Sequence, residues 1–226
     1  MRLSWQQIPS PVVSEILCNS GLDGVVLDTE HGFYNNETLY NCIQIIRALN
    51  KTCYVRVTET NKSLVRSCLD AEANGIILSS VETVEQCRKI HEMSKYPSKG
   101  GKRGLGLVRQ NKWGMESLDS DSPHIIAQIE TKEGINNLEK IVSYGFDFYM
   151  IGPYDLSASL GKPGNFNSDE YLQSLRKINN IIPTSKLAVH IPNDIKKQIK
   201  KYDNYGIIAV GMDTIGLLEF YKKIEV

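Results

Sequence analysis

Short apolar runs recur along this 226-residue chain at near-regular spacing, each closed by a polar or Gly/Pro turn and followed by a segment of helical period. The strand candidates are Arg2–Gln7, Gly24–Leu27, Cys53–Val57, Gly75–Leu78, Ile125–Ile129, Phe146–Ile151, Lys186–Val189 and Gly206–Val210. Most are continuously apolar, as strands buried on both faces of a parallel sheet are. Between them, "NNETLYNCIQIIRALN" places Leu39, Ile43 and Ile46 on one helical face, with Asn35 or Asn36 as N-cap. "SVETVEQCRKIHEMSKY", "KEGINNLEKIVSYG", "SDEYLQSLRKINNII", "NDIKKQIKKYDNYG" and "DTIGLLEFYKKI" follow the same period. Gly145 and Gly206 fall where a helix should stop and a strand begin. Eight strands alternating with eight helices predict a (β/α)₈ TIM barrel, one domain over residues 1–226. A doubly wound open sheet is the alternative; eight regular repeats favour closure.

Composition narrows the partners. Formal net charge is zero and 23% of residues are charged, so no basic excess exists to hold a nucleic acid. No apolar run approaches the roughly 20 residues that span a bilayer. The opening "MRLSWQQIPSP" lacks the apolar stretch of a signal peptide. Five cysteines form no CxxC pair, which suits free thiols and a reducing cytoplasm.

In such a barrel, chemistry gathers at the C-terminal ends of the strands. The second strand runs into Asp28, Glu30 and His31, and the third ends near Arg56, Thr58 and Glu59. The fourth ends in Ser79-Ser80, the fifth in Gln128 and Glu130, the sixth in "IGPYDLSASLGKPG", the seventh in His190 and the eighth in Gly211 and Asp213. Glu130 and Asp155 follow neighbouring strands about 4.8 Å apart. Two carboxylates that close need a cation or a shared proton. Oxygen ligands suit a hard divalent cation, whereas the plainer reading makes each acid a helix or turn cap. His31 stands three residues after Asp28, which could orient its ring as an acid–imidazole pair. Arg56 at the end of an apolar strand calls for an anion, either a ligand carboxylate or enolate or one of the nearby acids. His190 is the reserve histidine at this mouth.

The stretches "GLDGVVLDTEHG", "VRVTETNKSLVRSCLDAEANGI", "KGGKRGLG", "AQIETKEGINNLEKI", "YMIGPYDLSASLGKPG" and "IAVGMDTIGLL" appear in order along nearly the whole chain. Together they resemble the HpcH/HpaI family of class II pyruvate aldolases. The resemblance implies that Glu130 and Asp155 bind a divalent metal, Mg²⁺, Mn²⁺ or Co²⁺. It implies that Arg56 stabilises a pyruvate enolate and that His31, supported by Asp28, is the acid–base residue. Gln128 and the backbone at Gly152 and Pro153 would line the pyruvate site. Asp70 matches an aspartate that reaches a neighbouring subunit's active site, which implies a homo-oligomer, hexameric or dimer-based. The chain departs from the family at Glu72-Ala73, at Ser79-Ser80 and over "LVRQNKWG" (107–114), and it begins almost at its first strand.

The expected reaction is reversible cleavage of a 4-hydroxy-2-oxo acid, or a 2-keto-3-deoxy sugar acid, to pyruvate and an aldehyde. A Schiff-base route needs a desolvated lysine inside the barrel, and no strand candidate carries one near its C-terminal end. Two other classes compete: a citryl- or malyl-type CoA-thioester lyase on the same metal pair, and a non-catalytic barrel that binds a keto acid.

Overall fold

The computed structural model describes residues 1–58, 61–117 and 122–224. Eight parallel strands close into a barrel in sequence order. They are β1 (Arg2–Gln6), β2 (Gly24–Asp28), β3 (Thr52–Val57), β4 (Gly75–Leu78), β5 (His124–Ile129), β6 (Phe148–Ile151), β7 (Leu187–Ile191) and β8 (Ile207–Val210). Each overlaps a predicted segment. β6 and β8 start later than predicted, and Lys186 lies in a 3₁₀ turn (Thr184–Lys186) just outside β7. Glu59 lies outside the described residues.

The continuous apolar runs have two destinations, set by the two-residue period of a strand. Leu3, Trp5, Val26, Tyr54, Ile77, Ile126, Met150, Ala188, Ile207 and Ala209 fill the barrel interior. Their neighbours, among them Val25, Leu27, Val55, Ile76 and Ile125, face outward into a second core under the helices. The inward set continues at the C-terminal ends with Asp28, Arg56, Gln128 and His190. The same alternation that builds the apolar floor therefore delivers polar side chains to its rim.

The helices are α1 (Pro11–Cys18), α2 (Asn36–Ala48), α3 (Lys62–Asp70), α4 (Val84–Ser94), α5 (Lys132–Asn136), α6 (Leu138–Val142), α7 (Pro153–Ser159), α8 (Asp169–Ile181), α9 (Ile195–Gln198) and α10 (Asp213–Lys222). Asn35 caps α2 by accepting from the Thr38 N–H at 2.8 Å. Strict one-to-one alternation is not kept. The predicted helix over 132–145 divides at Asn137, two helices connect β6 to β7, and "NDIKKQIKKYDNYG" forms only α9 and a 3₁₀ turn (Ile199–Tyr202). All five cysteines are free and buried, as their placement in apolar segments predicts. No helix among the described residues is long and apolar enough to cross a membrane.

Candidate active site

The pairing of β2 with β3 sets Asp28 directly opposite Arg56. Arg56 Nε donates to Asp28 Oδ1 at 2.9 Å and its Nη2 to Oδ2 at 2.6 Å. Its Nη1 lies 2.6 Å from Glu30 Oε2. The sequence leaves Arg56 open between a ligand anion and the nearby acids; in this structure the guanidinium pairs with both acids. Asp28 also accepts from Trp5 Nε1 at 3.1 Å and Gln7 Nε2 at 3.3 Å. Burial by itself would raise the Asp28 carboxyl, but the hydrogen bonds and charge of Arg56 outweigh it and hold the pKa below its usual value.

Asp28 meets His31 through the backbone, not the ring. The N–H groups of Glu30 and His31 point at Asp28 Oδ1, at 3.1 and 3.3 Å. The expected acid–imidazole pair is absent because both Asp28 oxygens are engaged below, leaving the His31 side chain exposed at the mouth. Gly32 closes this turn because a Cβ there would come within 2.4 Å of the Asp28 carbonyl oxygen and 2.7 Å of that of Gln7.

Glu130 is buried just past β5. Its Oε1 accepts from the Ser80 N–H at 2.7 Å and the Ser80 hydroxyl at 2.9 Å, and its Oε2 accepts from Gln128 Nε2 at 2.5 Å. Ser80 presents both donors from a left-handed backbone (φ 49°), an uncommon conformation outside glycine. Nothing in the sequence announced Ser80 as a partner of this carboxylate. Gly152 follows β6 beside Glu130, and a Cβ on it would lie 2.3 Å from Glu130 Oε2 and 3.0 Å from Gln128 Nε2. Only glycine keeps that approach open. Desolvation, joined by the charges of Asp155 and Glu30, pushes the Glu130 pKa up to about 7 against the pull of Ser80.

Asp155 stands exposed in the first turn of α7, with Pro153 at its start. Trp5, Gln7, His31, Arg56, Gln128, Gly152, Pro153, Asp155 and His190 share one cavity of about 220 Å³ at this mouth. No lysine lines it. A divalent cation fits here on the chemistry present. One carboxylate is buried and pressed toward its neutral form, the charge of a second, Asp155, acts on it, and the buried Gln128 Oε1 has no hydrogen-bond partner. No cluster of three or more His, Cys, Asp or Glu that could hold an ion exists among the described residues. Two protein ligands with water and substrate completing the shell is a common Mg²⁺ arrangement.

Asp70 is not brought to this mouth. It ends α3, which returns from the mouth to the opposite end of the barrel, and it takes a hydrogen bond from Arg103 Nη2 at 2.7 Å. Arg103 itself is fully buried, with its guanidinium 4.5 Å over the Tyr96 ring.

The sequence model of the HpcH/HpaI aldolase/citrate lyase family matches residues 3–218. This chain belongs to that family. The 2-keto-3-deoxy-L-rhamnonate aldolase of Escherichia coli K12 is 30% identical over 221 residues, covering 93% of this chain and 82% of that one. The solved citrate synthase SbnG is 27% identical with a TM-score of 0.84, covering 98% of this chain and 89% of its own. An HpcH/HpaI aldolase/citrate lyase family protein from Burkholderia cenocepacia J2315, at 23% identity and a TM-score of 0.88, shares the fold over 99% of this chain and 92% of its own.

Proposed function

We propose that this chain is a divalent-metal-dependent class II aldolase that reversibly cleaves a 4-hydroxy-2-oxo acid or 2-keto-3-deoxy sugar acid to pyruvate and an aldehyde. The observation that carries the reading is the buried Glu130 carboxylate beside Gly152, its pKa raised by burial and by the charge of Asp155. Glu130 and Asp155 would hold the cation, which would supply Lewis-acid polarisation of the keto oxygen and so stabilise the enolate left when the aldehyde departs. Ser80 and Gln128 fix the Glu130 oxygens, and the Gly152–Pro153 backbone leaves room for the pyruvate carboxylate. Arg56, braced by Asp28, directs positive charge at the oxygen where charge develops. His31 takes the C4 hydroxyl proton during cleavage and returns it in the reverse direction, and the enolate carbon C3 takes up a proton to give pyruvate. The exposure of His31 at the mouth suits exchange of the hydroxyl proton with solvent.

Two features support a homo-oligomer that completes the site with Asp70 from a neighbour. Asp70 lines a cavity of about 470 Å³ together with Arg66, Leu105, Leu107 and Trp113. Leu105, Leu107, Trp113 and Met115 are all more than half exposed, a concentration of apolar surface that a second copy would cover. The likeness to SbnG favours a second reading, in which the same carboxylate pair serves a CoA-thioester substrate.

The test is pyruvate release from 4-hydroxy-4-methyl-2-oxoglutarate and several 2-keto-3-deoxy sugar acids, followed with lactate dehydrogenase in Mn²⁺, Mg²⁺ or EDTA. Release that needs metal and disappears in Glu130→Ala is the expected result. Turnover confined to thioesters transfers the assignment to the second reading. Borohydride trapping of pyruvate on a lysine overturns the metal mechanism.

A further inference from the structure

The aldehyde half of the substrate has no partner in the residues described so far. β7 sends Ala188 into the barrel interior, so His190, two residues on, points into the mouth. Its imidazole lies flat on Trp5, with ring centroids 4.2 Å apart and an 11° interplanar angle. Trp5 is a fixed platform, almost wholly buried and bonded through Nε1 to Asp28. His190 Nε2 is 2.9 Å from the carbonyl oxygen of Gly211. A carbonyl only accepts, so Nε2 carries the hydrogen. Desolvation pushes the His190 pKa down to about 4, aided by the charge of Arg56, so the ring is neutral near pH 7. Nδ1 is then a lone-pair acceptor, and no described residue donates to it.

His190 lines the mouth, so a ligand there can supply that donor in place of water. The pyruvate half offers a carboxylate and a keto oxygen, which only accept. The C4 hydroxyl is the one whose proton moves in the reaction. A hydroxyl on the next carbon of the aldehyde half is the remaining donor, and the cavity of about 220 Å³ that His190 shares with Arg56 and Asp155 favours a short chain.

We propose that His190 is a specificity-determining residue whose Nδ1 accepts a hydrogen bond from the aldehyde half, selecting a short α-hydroxyaldehyde over its unsubstituted counterpart. The inference rests on the aldol reading above. Two measurements separate them. Exchange of the pyruvate methyl protons with D₂O in the presence of Mn²⁺ or Mg²⁺ needs no aldehyde and tests the aldol reading alone. Aldol addition of pyruvate to lactaldehyde and to propanal, which differ by one hydroxyl, tests His190.

The wild type should favour lactaldehyde in kcat/KM by roughly tenfold, the worth of one neutral hydrogen bond. His190→Phe keeps a ring to stack on Trp5 and removes the acceptor, so the ratio should fall close to one through loss on the lactaldehyde side. His190→Leu serves the same purpose if the Phe variant does not fold. Equal use of the two aldehydes by the wild type, or a ratio that survives the substitution, overturns the proposal while proton exchange upholds the aldolase. Absence of exchange overturns both.

Discussion

Asp28 grips Arg56 at two points, 2.9 and 2.6 Å, with the two residues directly opposite each other on adjacent strands and both side chains out of water. A buried pair is stabilising mainly in the sense that neither partner can be left alone. Asp28→Ala strands the guanidinium beside a single half-buried acid, Glu30, and should cost about 3–5 kcal/mol of unfolding free energy. Urea denaturation of the two proteins measures it directly. A difference under about 1 kcal/mol would show that Glu30 and solvent suffice.

The pH dependence of that contribution has a definite sign. The folded-state pKa of Asp28 is below its ordinary value near 3.8, so between the two values the unfolded chain binds more protons. The contribution is complete above the unfolded value and is lost as pH falls through the folded one. The stability gap between wild type and Asp28→Ala should therefore be level from ~pH 5 to 8 and close in stronger acid. Thermal melts across that range check it.

Glu130 titrates the other way. With a pKa near 7, it is protonated in mildly acidic solution and ionised above, where its charge is buried beside that of Asp155. A divalent cation must displace that proton below pH 7 and finds the site ready above it. Mn²⁺ affinity should fall by up to tenfold for each pH unit below about 7. The thermal shift given by Mn²⁺ should be larger at pH 8 than at pH 6. In Glu130→Gln both the shift and its pH dependence should vanish.

Gly152→Ala tests the geometry without altering any charge. The added methyl would meet Glu130 Oε2 at 2.3 Å, so the carboxylate has to leave its place between Ser80 and Gln128. Metal affinity should drop by at least 10- to 100-fold, the usual consequence of disturbing what orients a ligand. Mn²⁺ titration followed by electron paramagnetic resonance gives the affinity, and circular dichroism shows whether the barrel persists. An unaltered affinity would place the metal away from Glu130.

A mixing experiment decides the role of Asp70. If it completes a neighbour's site, Asp70→Ala and Glu130→Ala are each inactive alone, yet hybrids formed by co-refolding recover part of the activity. Recovery requires that the two residues serve one site from different subunits. Sedimentation of the hybrids should report the same assembly as the wild type.

Much of this arrangement could be read from the chain because a parallel barrel translates sequence into place with few choices. An apolar run ending in Asp28, or in Gln128 and Glu130, can direct those polar groups only to the rim. The Gly-Pro pair after β6 likewise marks where the backbone must lie close to its neighbour. What could not be read depends on side-chain direction and backbone torsion. The spacing of Asp28 and His31 suggested a dyad, but register against β3 gave the carboxylate to Arg56 instead. Ser80 reaches Glu130 only because its φ is positive, and no local pattern announces that at a serine. The helix expected over 193–206 forms only over Ile195–Gln198 and continues as a 3₁₀ turn to Tyr202, although Ile195, Ile199, Tyr202 and Tyr205 still pack inward at helical spacing.

That shortened helix gives the wall a seam. Beside β7 and β8, Tyr154, Phe166, Tyr171, Tyr202 and Tyr205 line a cleft of about 690 Å³. Tyr202 and Tyr205 meet edge to face there, with ring centroids 5.1 Å apart. His190 borders this cleft on one side and the mouth on the other. The wall beside β7 is thus lined by aromatic rings, while Glu130, two strands away, is held by short, buried bonds to Ser80 and Gln128. Substitutions among these rings can therefore alter the surroundings of His190 without touching a residue that binds Glu130.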